Sequence, residues 1–147
     1  LALYGIHYDV WLSEKSLHTT GAIDMVLHDL ATNNHTYHAD GALWFKSTKF
    51  GDDKDRVVRK ESGELTYAAA DIALMKNKVE RGADQMIMIL GHDHHGYIQR
   101  LQGIKNALGY EHIPLDIIIY QLVKITAEGQ LVRMSKRAGN IVDLRSI

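Results

Sequence analysis

The chain has 147 residues, 46% of them apolar and 24% charged, with a net charge of −1 and no cysteine. That length suits one ordinary domain with its own core, and the composition excludes a disordered chain. The near-neutral balance argues against indiscriminate nucleic-acid binding, and the missing cysteines exclude disulfide and thiolate–zinc frameworks and point to a reducing cytoplasm.

No run approaches the ~18 apolar residues of a membrane span, and no secretory segment opens the chain, so no membrane partner is expected. The chain begins LALYGIHYDV and stops at VDLRSI as a further element starts. Both ends predict a piece of something longer.

In TTGAIDMVLHDLATNN, Ile23, Val26, Leu27 and Leu30 recur at i, i+3, i+4 and i+7. This spacing predicts an amphipathic helix with Thr20 as N-cap and Asn33-Asn34 as its stop. β-prone runs at 42–47 and 56–60, separated by the turn-rich FGDDKD and followed by ESGE, predict a small meander. FGDDKD and RVVRK read as exposed hairpin chemistry, and Trp11 and Trp44 as packing residues. Residues 1–65 are therefore taken as an α+β insertion or connective subdomain.

From 66 to 147 the pattern changes. Ala68, Ile72, Met75 and Val79 form a helical stripe that Gly82 closes. QMIMIL, ending at Gly91, predicts a strand buried on both faces. A second helix carries Tyr97, Leu101, Ile104 and Leu108 on one face and ends at Gly109. LDIIIYQLVKI predicts another buried strand, AEGQ a turn and LVRM a short return strand. Helix–strand–helix–strand order predicts an α/β fold with a parallel, doubly wound sheet.

In such sheets ligands bind beyond the carboxyl ends of strands, where helix N-termini aim their N–H groups. LGHDHHGY, residues 90–97, lies at that kind of turn. Gly91 would let a ligand approach the backbone, and Asp93 could cap the helix or hold a ribose hydroxyl. His94 and His95 would occupy the helix's first turn. A plain capped turn and a metal site remain alternatives, although adjacent helical histidines diverge by about 100° and the i, i+4 spacing of metal helices is missing. His7, His18, His28, His35, His38 and His112 read as surface or packing residues. Tyr67 and Asp71 are i, i+4 on one helix: either a solvated edge or, facing a cleft, a phenol and carboxylate suited to a planar cation such as guanidinium. VRMSKRAGN, residues 132–140, places Arg133, Lys136 and Arg137 within five positions. It is either a solvated basic turn or a loop that neutralises phosphate charge.

RMSKR resembles the Lys-Met-Ser-Lys-Ser signature loop of class I aminoacyl-tRNA synthetases. Met134, Ser135 and Lys136 match, and Arg133 stands for the first lysine. GHDHHGYIQRL, DVWLSEKSLH, GALWFKSTKFGDDKDRVVRK and LTYAAADIA are similar to the arginyl-tRNA synthetases in the same order, so the resemblance covers essentially the whole chain. It implies the second half of a Rossmann-type nucleotide-binding fold, preceded by the small insertion. The implied reaction joins L-arginine and ATP into arginyl-adenylate, with Mg2+, and passes arginine to its tRNA. Family members generally need bound tRNA for the first step.

The resemblance also assigns residues. Lys136, with Arg133 and Ser135, would stabilise pyrophosphate in the transition state, and the Met134 backbone would lie near adenine. Tyr67, Asp71 and His94 would contact arginine, with Asp71 taking the guanidinium. Gly91 and Asp93 would face adenosine, and Gln121 and Val123 the adenine pocket. No metal ligand is assigned.

The family's His-Ile-Gly-His half of the ATP site, its first sheet strands, its N-terminal tRNA-contacting domain and its anticodon-binding domain are not in the sequence. The 147 residues alone are expected to be inactive and to self-associate through an uncovered apolar face. The competing readings are another class I synthetase or nucleotidyltransferase, and a metal-dependent hydrolase built on His92, Asp93, His94 and His95.

Overall fold

In the computed structural model, residues 1–94, 96–127 and 129–131 are described. Helix α1 spans Glu14–Thr19 and α2 spans Ala22–Thr32. The first of these was not predicted, and it reassigns Thr20. Thr20 closes α1, its hydroxyl donating to the Ser16 carbonyl at 2.7 Å, while Gly21 at φ 76° starts α2. A left-handed junction between two short helices leaves no extended residue for a side-chain cap. The predicted apolar face of α2 is buried at Ile23, Val26, Leu27 and Leu30.

Strands β1 (Thr36–Ala39), β2 (Ala42–Phe45) and β3 (Arg56–Arg59) form an antiparallel sheet in that order. The meander has one strand more than predicted. Asp40 and Gly41 connect β1 to β2 with φ of 50° and 73°, the geometry of a two-residue type I′ hairpin, for which Asp-Gly is a favoured pair.

Helix α3 covers Tyr67–Glu80, and α4 covers Tyr97–Ala107. Between and after them, β4 (Met86–Gly91) and β5 (Leu115–Tyr120) pair in parallel from Met86↔Leu115 to Gly91↔Tyr120. A crossover helix between parallel neighbours is the predicted α/β unit. A hairpin of β6 (Thr126–Ala127) and β7 (Gln130–Leu131) ends the described chain.

One apolar cluster runs from Leu17 and α2 through Phe45 and Val58 to α3, α4 and Leu115, crossing position 65 without a break. The sheet of β4 and β5 is covered on one face only. Ile87, Ile89 and Ile118 are 57%, 65% and 51% exposed, whereas both strands had been read as buried on both faces. An unbroken apolar run reports the preference of both faces for cover, not whether cover is present. Trp11 is likewise exposed, with Tyr8 against it edge-on, while Trp44 packs on Tyr37 and donates to the Ala39 carbonyl.

Residues 50–60 depart furthest from the exposed hairpin expected. Asp52 is buried and accepts from Arg56 Nε at 2.7 Å and from its terminal nitrogen at 2.6 Å. Buried Ser47 donates to the Lys54 carbonyl at 2.7 Å, fixing the turn from below. The cover comes from α4: at Gly103 an added Cβ would stand 3.2 Å from the Phe50 carbonyl oxygen. The helix backbone therefore lies directly on this turn.

Candidate functional site

Asp71 lies one turn into α3, half-buried, and its Oδ2 is shut off from solvent with no hydrogen-bond partner. A buried carboxylate oxygen without a donor is costly and calls for an explanation. Burial raises the Asp71 carboxyl to about 6, with Arg100 on α4 opposing the rise and Glu14 on α1 adding to it. Its charged form is thus poorly solvated by the protein itself and would gain from an incoming cation.

Arg100, whose charge acts on Asp71, also reaches toward the turn after β4. Its guanidinium carbon lies 4.1 Å from the centre of the Tyr97 ring, and its Nε stands 4.0 Å from Asp52 Oδ2. The Tyr97 ring in turn meets His94 edge-on at 5.0 Å. His94 Nε2 is 3.7 Å from Asp93 Oδ1. The same Asp93 oxygen sits where a Cβ on Gly91 would be, 2.7 Å away, with the Tyr120 hydroxyl 3.9 Å from that point. An arc of polar groups therefore runs from α3 across α4 to the carboxyl ends of both parallel strands.

The turn differs from the sequence reading in one respect. His92–His94 form a 3-10 turn and α4 begins only at Tyr97, after Gly96, so Asp93 does not cap it and His94 precedes its first turn. His95 lies outside the described residues.

Tyr67 is the first residue of α3 and 82% exposed, lining an open cleft of about 240 Å³ with Glu14, His18, Lys60 and Glu64. Gln121 and Val123 follow β5 on the exposed surface. Arg133, Met134, Ser135 and Lys136 lie outside the described residues. Among the described residues no three His, Asp or Glu side chains are grouped as metal ligands. The structure brings Gly91, Asp93 and His94 together and runs from them through Tyr97 to Arg100, whose charge acts on Asp71. Tyr97 and Arg100 were missed. The signal available was their i, i+3 spacing on α4, which places an aromatic ring beside a guanidinium.

A family model described as tRNA synthetases class I (R), catalytic domain, matches residues 4–147. The chain belongs to the class I arginyl-tRNA synthetase family. It is 49% identical over 144 residues to an arginine–tRNA ligase of Moorella thermoacetica, covering 98% of this chain and 26% of that protein. The arginine–tRNA ligase of Caldanaerobacter subterraneus subsp. tengcongensis is 49% identical over 148 residues, covering 100% and 26%. A crystal structure from Campylobacter jejuni, described as an arginyl-tRNA synthetase, aligns with TM-score 0.79 and 38% identity, over 88% of this chain and 28% of that one. The chain thus spans about a quarter of the length of the arginine–tRNA ligases it matches.

The family and the pairing of β4 with β5 agree on a class I, Rossmann-like α/β segment. No described helix is long and apolar enough to cross a membrane.

Proposed function

We propose that this chain is the part of an arginine–tRNA ligase that recognises the amino acid and one side of the nucleotide. The parent reaction joins L-arginine to ATP as arginyl-adenylate, releases pyrophosphate, and transfers arginine to its tRNA in the cytoplasm. The observation that carries this reading is the buried, unpartnered Oδ2 of Asp71. A guanidinium offers planar paired donors and stays charged at any working pH, so it supplies what this oxygen lacks.

In this reading Tyr67 and His94 border the arginine and Gly91 and Asp93 approach the adenosine, the missing side chain at Gly91 letting the Asp93 carboxylate lie at the strand end. Gln121 and Val123 border adenine with the Met134 backbone. Lys136, Arg133 and Ser135 neutralise charge on the departing pyrophosphate. Mg2+ would enter with the nucleotide phosphates. Residues 1–65 serve as the connective subdomain and 66–147 as the C-terminal half of the catalytic core.

The uncovered face at Ile87, Ile89 and Ile118 is the side that further helices of a doubly wound fold would cover, while further strands would extend the sheet at its edge. By themselves the 147 residues hold half an active site and associate through that face.

The test is arginine- and tRNA-dependent ATP–pyrophosphate exchange in a full-length enzyme carrying this segment. Asp71→Ala should raise KM for arginine at least about tenfold, the worth of one charge-assisted hydrogen bond, and leave KM for ATP nearly unchanged. An unchanged arginine KM would remove Asp71 from the pocket. Exchange activity in the purified 147-residue chain would refute the half-site reading.

A further inference from the structure

Asp71 on α3 and Arg100 on α4 carry opposite charges, and the charge of Arg100 favours the ionised form of Asp71. Each keeps one buried polar atom without a partner, Oδ2 on the aspartate and Nε on the arginine. Two such groups would ordinarily close into an ion pair, yet none of the ion pairs among the described residues joins them. Arg100 is held elsewhere. Its guanidinium carbon lies over the Tyr97 ring, 4.1 Å from the centre, and Asp52 approaches its Nε at 4.0 Å. Asp52 is itself fixed in place: its side chain has no solvent exposure and Arg56 grips it through both oxygens.

We propose that Arg100 is a positioning residue for arginine binding: tied back by Tyr97 and Asp52, it sets a positive field at Asp71 without pairing with the carboxylate, which is left to take the incoming guanidinium. The inference rests on the reading of Asp71 as the guanidinium acceptor.

The physical problem it solves is specific to a cationic substrate. A carboxylate buried without a counter-charge takes up a proton and can no longer attract a cation. A counter-charge in direct contact would fill the place of the substrate. An arginine held at a short remove avoids both outcomes. It is restrained by the ring it lies over, and its own charge is offset by Asp52. Arg100 and Arg56 balance Asp52 and Asp71, so these four groups carry no net positive charge to repel a cation.

The other elements packed on α3 add one group to this balance. Helix α1 presents Glu14 to Asp71, whereas α2 presents Asp29 to Lys76, and β3 commits Arg56 to Asp52 and Arg59 to Asp24. Glu14 works against the charge on Asp71 and burial does so more strongly, which leaves Arg100 as the group that opposes protonation.

The test is the pH profile of kcat/KM for arginine, from ATP–pyrophosphate exchange by the full-length enzyme, for Arg100→Gln, Arg100→Lys and Asp71→Asn. Arg100→Gln should raise KM for arginine several-fold near neutral pH. It should also move the acidic limb of the profile upward by about one pH unit, with kcat and KM for ATP little changed. Arg100→Lys keeps the charge and should hold the limb near its parental position.

An unmoved limb in Arg100→Gln overturns the proposal, and so does a limb moved as far by Arg100→Lys as by Arg100→Gln, since packing on Tyr97 would then be the cause. Should Arg100→Gln fail to fold, the limb of Arg100→Lys decides: parental supports the proposal and shifted overturns it. Asp71→Asn separates the two readings. If it leaves the arginine KM unchanged, the pocket assignment has failed; if it raises KM while Arg100→Gln leaves the limb in place, only the role of Arg100 has failed.

Discussion

Arg56 holds Asp52 through both carboxylate oxygens, at 2.6 and 2.7 Å, in a turn whose aspartate has no solvent exposure. Burial works against the charge on Asp52, but hydrogen bonds from Arg56 and from Asp53 hold its carboxyl well below the usual carboxylate range. Because its folded-state value is lowered, this carboxylate stabilises the protein above its ordinary range and loses that contribution as pH falls into strong acid. Removing one member of such a pair strands the other. Asp52→Ala should therefore cost about 3–5 kcal/mol, whereas replacing Asp52 and Arg56 together by Leu and Met should cost much less. Denaturant unfolding of both variants checks this, and equal losses would mean the pair is not the source.

Asp71 has the opposite sign. Its carboxyl is raised from 3.8 to about 6, chiefly by burial. Below about pH 4 both folded and unfolded chains carry its proton and nothing is lost. As pH rises from there through 6, the unfolded chain ionises freely and the folded chain pays for a buried charge. Asp71→Asn should accordingly gain stability relative to the parent between about pH 4 and pH 7, by at most about 3 kcal/mol. Unfolding curves at both pH values test it, and a constant difference would contradict the buried charge. The variant would be more stable and a poorer binder of arginine, as expected where a site is strained for function.

Gly91 should separate stability from ligand approach. A Cβ there meets only Asp93 Oδ1 closely, at 2.7 Å, and that side chain is 71% exposed and free to turn away. Gly91→Ala should leave the unfolding midpoint within about 0.5 kcal/mol of the parent. In the full-length enzyme it should raise KM for ATP, because the methyl group and the displaced carboxylate occupy the approach to the strand end. Unchanged ATP kinetics would take Gly91 out of the nucleotide site.

The uncovered sheet face gives a prediction for the 147-residue chain alone. Replacing Ile89 and Ile118 by lysine puts charge in the middle of the exposed apolar face. Sedimentation of the unsubstituted chain should show concentration-dependent association that these substitutions weaken. Unaltered association would place the contact elsewhere.

Much of the local structure was legible. The stripe Ile23, Val26, Leu27, Leu30 and the stripe around Ile72 and Met75 went where their 3.6-residue spacing put them. QMIMIL and LDIIIY became neighbouring parallel strands. Helix α1 was missed because six residues are too few for a periodic signal, and β1 because Thr36–Ala39 was read without the Asp40-Gly41 turn that makes it half of a hairpin. The turn LGHDHHGY was placed correctly after a strand, but its helix begins later than the polar residues suggested. Arg100 and Tyr97 were invisible as site residues because Arg100 looks like the ordinary surface of an amphipathic helix and Tyr97 like a member of its apolar face.

The order of the motifs, read in one dimension, determined the family, the class of fold and the choice of Asp71 as the residue to examine. Those are properties of residue type and spacing, which a chain carries whether or not it is folded. Only the tertiary structure decided that Asp52 is buried, that Asp71 keeps an oxygen without a donor, and that Arg100 lies over the ring of Tyr97 beside Asp52. Periodicity reports which face of an element seeks cover. Whether a charge is covered, and by what, depends on elements far away in the sequence: the backbone of α4 at Gly103 closes over the turn at Phe50 and leaves Asp52 beneath it.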